Sequence, residues 1–148
     1  MCFLVNIFLC LLKNRNNTLN KSGCSNIALL HCILNYPTPY EMANLRMING
    51  LKDVFPNLII GYSDHTLPDQ SMTSLITAHL LGAVIIEKHF TLDNNYSDFH
   101  DHQLSANPVD FKKMVDRIRQ AEKMLGTGEK IPSDSELEGK HNARRSIV

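Results

Sequence analysis

The chain has 148 residues, with 15 basic and 15 acidic side chains and a formal net charge of zero. Neutrality argues against binding that works by neutralising nucleic-acid phosphates, and against a polybasic membrane-surface module. A composition of 43% apolar and 20% charged residues is that of a globular chain with a sizeable core, yet the length falls short of the roughly 250 residues of a closed eight-unit α/β barrel.

Residues 1–12 are almost wholly apolar. No basic stretch precedes them and no small-residue cleavage site follows, and a bilayer span needs about 20 apolar residues. A buried start is therefore expected over a membrane anchor, and residues 1–21 are set apart as an atypical apolar segment. Cys2, Cys10, Cys24 and Cys32 include no C-x-x-C pair, which argues against a zinc ribbon or a thioredoxin-type motif. Reduced thiols of a cytoplasmic protein are the expectation.

From Asn26 onward strand and helix signals alternate three times. The run 26–32, Asn-Ile-Ala-Leu-Leu-His-Cys, reads as a buried strand. Thr38, Pro39 and Glu41 then form a capping-box start, followed by Met42, Leu45, Ile48, Leu51 and Phe55 at helical spacing. A second strand spans Leu58 to Ser63. The loop Asp64-His65-Thr66 follows, and then a helix from near Pro68 to Leu81, stopped by Gly82. The third strand, Ala83 to Lys88, leads into a long polar loop from His89 to Ala106. Asn107 and Pro108 begin the last helix, and Gly126 ends it. Apolar strands separated by amphipathic helices imply a parallel sheet covered by helices. The α/β region is assigned to residues 22–126, with an aperiodic tail over 127–148.

Ligands of parallel α/β architectures bind at the carboxyl ends of the strands. Here those loops carry Tyr36, Ser63, His65, Glu87 and His89, whereas the turns leading into the strands are unremarkable. Side chains alternate with period two, so Ser63 and His65 share a face, as do Glu87 and His89, while Lys88 takes the other. Glu87 at the end of an apolar strand needs a metal, a cation or a polar substrate to offset its burial. Two histidines at matching strand ends suit a borderline divalent ion such as Mn²⁺. His31 lies near a strand end and could point into the same site. His79 reads as a packed helix residue, and His100 and His102 as loop residues. Arg144 and Arg145 form a weak phosphate-binding signal.

The runs Leu29-Leu30-His31-Cys32, Tyr36-Pro37-Thr38-Pro39, Gly61-Tyr62-Ser63-Asp64-His65-Thr66 and Ile86-Glu87-Lys88-His89-Phe90 occur in that order. Together they resemble the sialic acid synthase family, whose members include N-acetylneuraminate, legionaminate and pseudaminate synthases and spore-coat polysaccharide enzymes. The resemblance covers about residues 22 to 148. It implies a (β/α)8 TIM barrel followed by an antifreeze-like domain, in a domain-swapped homodimer, condensing phosphoenolpyruvate with an N-acylated hexosamine of the N-acetylmannosamine type. It further implies a metal, usually Mn²⁺, on His65 and His89, and a catalytic Glu87 that orients water or moves protons at the phosphoenolpyruvate carbon. Ser63 falls near the phosphoenolpyruvate site, and Tyr36 and Asp101 contact the sugar.

The chain also departs from that pattern. Phe99-His100-Asp101 stands where many members have Gly-Pro-Asp or Gly-Ser-Asp. The expectation is a partial barrel holding the last three βα units, without the first five, their phosphoenolpyruvate-binding lysines or the antifreeze-like domain. Residues 1–21 do not resemble the family's preceding helix, and residues 144–148 resemble the start of a linker. The isolated chain is expected to be inactive and cytoplasmic, without nucleic-acid or membrane partners. The alternatives are one half of a split enzyme, or a non-catalytic metal- or sugar-binding remnant.

Overall fold

The computed structural model describes residues 2–5 and 9–143. Strands β1 (Cys2–Val5), β2 (Ile27–Cys32), β3 (Ile59–Asp64) and β4 (Ile85–Lys88) form one parallel sheet in chain order. Helices α1 (Leu9–Lys21), α2 (Met47–Val54) and α3 (Thr73–Leu80) lie between successive strands. After β4 come α4 (His100–Leu104), α5 (Pro108–Leu125) and α6 (Asp134–Ala143). Among the described residues no helix is long and apolar enough to cross a membrane.

The expected three strands become four. The apolar run 1–12 is interrupted by Asn6 alone, with no change of apolar period on either side of it, so strand and helix are not separable there by periodicity. Pairing with β2 defines β1, in the register Cys2 to Ile27 through Val5 to Leu30. Residues 1–21, set apart from the sequence, thus contribute a strand and a helix to the sheet. Leu12 is buried in the core, and Leu19 packs against it.

The core lies between one face of the sheet and the helices. Ile27 and Leu29 of β2 and Ile60 and Tyr62 of β3 meet Ile48 of α2, Leu75 and Ala78 of α3, and Met114 of α5. Alternation sends Leu30, Cys32, Gly61, Ser63, Ile85 and Glu87 to the opposite face. Gly61 makes a close approach there. A Cβ on it would stand 2.7 Å from the Ile85 carbonyl oxygen and 3.1 Å from Leu30 Cγ.

Helix ends show where local signals prevail. Asn107 caps α5 as expected, its side chain accepting from the amides of Val109 and Asp110 at 2.9 and 3.0 Å. Thr38 does not cap a helix. Its hydroxyl donates to the Asn35 carbonyl at 2.7 Å and its amide to the His65 carbonyl at 2.7 Å, which ties the loop after β2 to the loop after β3. Only a 3-10 turn forms at Tyr40–Met42, and α2 begins at Met47. Helix α3 starts at Thr73, not near Pro68, because Met72 adopts a left-handed φ of 53°. Asp69 supplies the stop, accepting from the amides of Ser71 and Thr73 at 2.8 and 3.1 Å.

Candidate functional site

The carboxyl ends of β2, β3 and β4 gather the unusual side chains. Register aligns Cys32 with Ser63 and Ser63 with Glu87, a row across three strands on one face. Ser63 and Cys32 are buried, whereas Glu87 is exposed. The cost of burying Glu87, anticipated from its apolar strand, therefore does not arise. The Cys32 thiol is pushed up by burial, opposed by the Ser63 hydroxyl and reinforced by Glu87 and Asp64, which keeps it a thiol at neutral pH.

One residue beyond each strand, His65 and His89 bring their rings to a centroid separation of 5.1 Å. Tyr36 lies over His65 at 4.0 Å and edges His89 at 6.0 Å. Burial, then Cys32, Asp101 and Glu87, raise the Tyr36 phenol, so it remains a hydrogen-bond donor. Asp101, in the first turn of α4, places a carboxylate oxygen 3.8 Å from His89 Nδ1 and the other 3.5 Å from His100 Nε2. All six residues singled out from the sequence (Tyr36, Ser63, His65, Glu87, His89 and Asp101) thus lie on this end of the sheet.

His65 Nδ1 donates to the Ile33 carbonyl at 2.8 Å. In a neutral ring that bond selects the tautomer with the proton on Nδ1 and the lone pair on Nε2, the arrangement used by metal-ligating imidazoles. The donor set therefore fits a divalent ion at two positions, with the remaining ligands left to water or substrate oxygens. Among the described residues no group of three or more His, Cys, Asp or Glu side chains is assembled for a metal.

His31 does not join the site. It projects from the helix-covered face, bonds the Ala43 carbonyl at 2.8 Å through Nε2 and stacks on Tyr62. His100 does join it, 5.7 Å from Tyr36. His102 instead holds the loop, with Nδ1 2.9 Å from Thr91 Oγ1. His79 is half-buried between α3 and Glu122 of α5, 3.8 Å away. Arg144 and Arg145 lie outside the described residues.

The buried charges of this end are Asp64 and Lys88, which the sequence reading did not select. Lys88 Nζ lies 2.7 Å from Asp64 Oδ2, and both side chains are 1% exposed. Lys88 also donates to the Thr66 carbonyl. Asp64 further accepts from Tyr62 Oη at 2.7 Å and from the Thr66 amide and hydroxyl at 3.0 and 3.1 Å. Burial pushes the Lys88 ammonium down and Asp64 pulls it back. Burial and Asp64 hold the Tyr62 phenol protonated, as its donor role requires. The available signal was a lysine ending an apolar strand, level with an aspartate ending its neighbour.

The NeuB family profile matches residues 11–130. The chain belongs to the NeuB family. It is 55% identical over 130 residues to the uncharacterized protein MJ1065 of Methanocaldococcus jannaschii, covering 88% of this chain and 37% of that protein. It is 43% identical over 134 residues to an N,N'-diacetyllegionaminic acid synthase of Campylobacter jejuni, covering 89% and 39%. The crystal structure of the Bacillus subtilis spore coat polysaccharide biosynthesis protein SpsE matches with a TM-score of 0.76 at 36% identity, covering 91% of this chain and 37% of that one. The motif-based resemblance to sialic acid synthases is thereby borne out, and the small parallel sheet is consistent with part of such a barrel. This NeuB-family chain spans well under half the length of these relatives.

Proposed function

We propose that this chain supplies the carboxyl-end loops of a nonulosonate synthase site, the last units of a (β/α)8 TIM barrel that condenses phosphoenolpyruvate with an N-acylated hexosamine. The observation that carries the reading is the His65–His89 pair, its rings 5.1 Å apart and His65 Nδ1 bonded to the Ile33 carbonyl, flanked by Tyr36 and Asp101. The NeuB membership and the synthases among its relatives support the same chemistry.

In this reading His65 and His89 hold a Mn²⁺ ion, which supplies Lewis-acid polarisation of the sugar aldehyde when bound. Tyr36 and Asp101, both beside His89, offer a phenol donor and a carboxylate acceptor to the hydroxyls and acylamino group of the sugar. Ser63 lies at the phosphoenolpyruvate end, level with Glu87. The exposed carboxylate of Glu87 is free to orient water, or to move a proton at the phosphoenolpyruvate carbon. One C–C bond forms between the phosphoenolpyruvate methylene and the aldehyde carbon. Water then adds to the adjacent carbon and inorganic phosphate leaves. The complete enzyme is read as a cytoplasmic homodimer, and the 148-residue chain as inactive by itself.

The test is a chimera in which residues 11–130 replace the matched segment of the Campylobacter jejuni synthase. Phosphate release is followed with phosphoenolpyruvate, an N-acylated hexosamine and Mn²⁺. The chimera is expected to turn over. Glu87→Gln should lower kcat by roughly 10²–10⁴-fold, and His65→Ala and His89→Ala should abolish Mn²⁺ binding. A folded chimera that binds Mn²⁺ without releasing phosphate overturns the synthase reading in favour of a metal-binding remnant.

A further inference from the structure

We propose that the buried Asp64–Lys88 ion pair is a positioning clamp, holding His65 and His89 at their spacing from the opposite face of the sheet. The inference rests on the reading of the two histidines as a functional pair and adds the residues that set their geometry.

Strand β3 ends at Asp64 and β4 at Lys88, and these two are register partners at the last rung of the ladder. His65 and His89 follow immediately, beyond that rung. Alternation turns Asp64 and Lys88 to the helix side and the two histidines to the site side. The Lys88 ammonium holds the chain on both sides of His65, through the Asp64 carboxylate before it and the Thr66 carbonyl after it. Because Lys88 itself precedes His89, a single side chain ties both histidine-bearing loops together.

The energetics point to position over stability. Two charges at 1% exposure pay a desolvation penalty that an apolar pair of similar volume does not. What an apolar pair lacks is direction. Asp64 is locked by Tyr62 Oη, the Thr66 amide and hydroxyl, and Ser74 Oγ at 3.4 Å, so the point to which Lys88 reaches is itself fixed. Such a network permits one relative placement of the two strand ends.

The experiment compares the wild-type chain with the double variant Asp64→Leu/Lys88→Met and with the amide pair Asp64→Asn/Lys88→Gln, which retains a cross-strand hydrogen bond. Proton and ¹⁵N spectra report the His65 Nδ1–H tautomer and the cross-peaks between the His65 and His89 rings, and a Co²⁺ titration reports metal affinity. The apolar pair is expected to melt cooperatively within a few degrees of wild type while losing the cross-peaks and the Nδ1–H signal, with Co²⁺ binding at least tenfold weaker. The amide pair is expected to restore all three. Where the double variant does not melt cooperatively, Asp64→Asn/Lys88→Met takes its place with the same expected losses, because the amide at position 64 still offers an oxygen to the Tyr62 and Thr66 donors and leaves no unpaired buried charge. Wild-type ring cross-peaks and tautomer in the apolar variant overturn the proposal. If the cross-peaks are lost as expected but the wild type takes up no Co²⁺, the clamp stands and the metal reading falls.

Discussion

At the residue scale, His31 and Gly61 show how one position acts through its surroundings. Burial lowers the His31 imidazole below its usual range, against the pull of the Ala43 carbonyl. The unfolded chain therefore takes up a proton, at a pH near the ordinary histidine value of about 6.5, that the folded chain refuses. The sign follows: this contribution to stability is complete above about pH 6.5 and is lost as pH falls from there through the depressed folded value. Melting temperatures are expected to drop between pH 7 and pH 5, and the slope should be shallower in His31→Gln. Gly61→Ala places a methyl group 2.7 Å from a backbone oxygen of the neighbouring strand, where no side-chain rotation relieves the clash. A loss of about 1–3 kcal/mol is expected, measured by denaturant unfolding.

At the scale of the element, caps decide boundaries that periodicity leaves open. Asn107→Ala should cost about 1 kcal/mol, because the side chain satisfies two amides at the start of α5. Asp69→Ala should cost a similar amount, since its carboxylate closes the turn before α3. Thr38→Ala separates the capping-box expectation from the observed structure. It should leave helix content by circular dichroism unchanged while loosening the loop bonded to Asn35. The capping box failed here because Thr38 and Tyr36 are drawn toward His65 by contacts about 30 residues away in sequence. Asn107 succeeded because its partners are its own immediate neighbours.

For the whole molecule, the sheet order leaves β1 and β4 at the two edges. Around β4 the structure exposes Val84 at 75%, with Phe90 stacked edge-on against Phe111 and also exposed. Unpaired strand edges beside exposed apolar side chains favour association. Sedimentation of the chain is expected to show concentration-dependent self-association, reduced in Val84→Lys. Unchanged sedimentation in that variant would assign the association to another surface.

The sequence by itself determined the α/β alternation from Asn26 onward, the resemblance to the family, and five residues at one end of the sheet, to which the resemblance alone added Asp101. The first of these are encoded locally, as apolar runs, strand-end motifs and a period of two that sorts faces. The tertiary structure decided what depends on partners distant in the chain. It made residues 2–5 a strand through pairing with β2 and turned His31 away from the site toward Ala43. It also joined Asp64 to Lys88, 24 residues apart, into the buried pair beneath the two histidines. A spacing rule states which face a side chain takes, whereas only the packed sheet states what waits on that face.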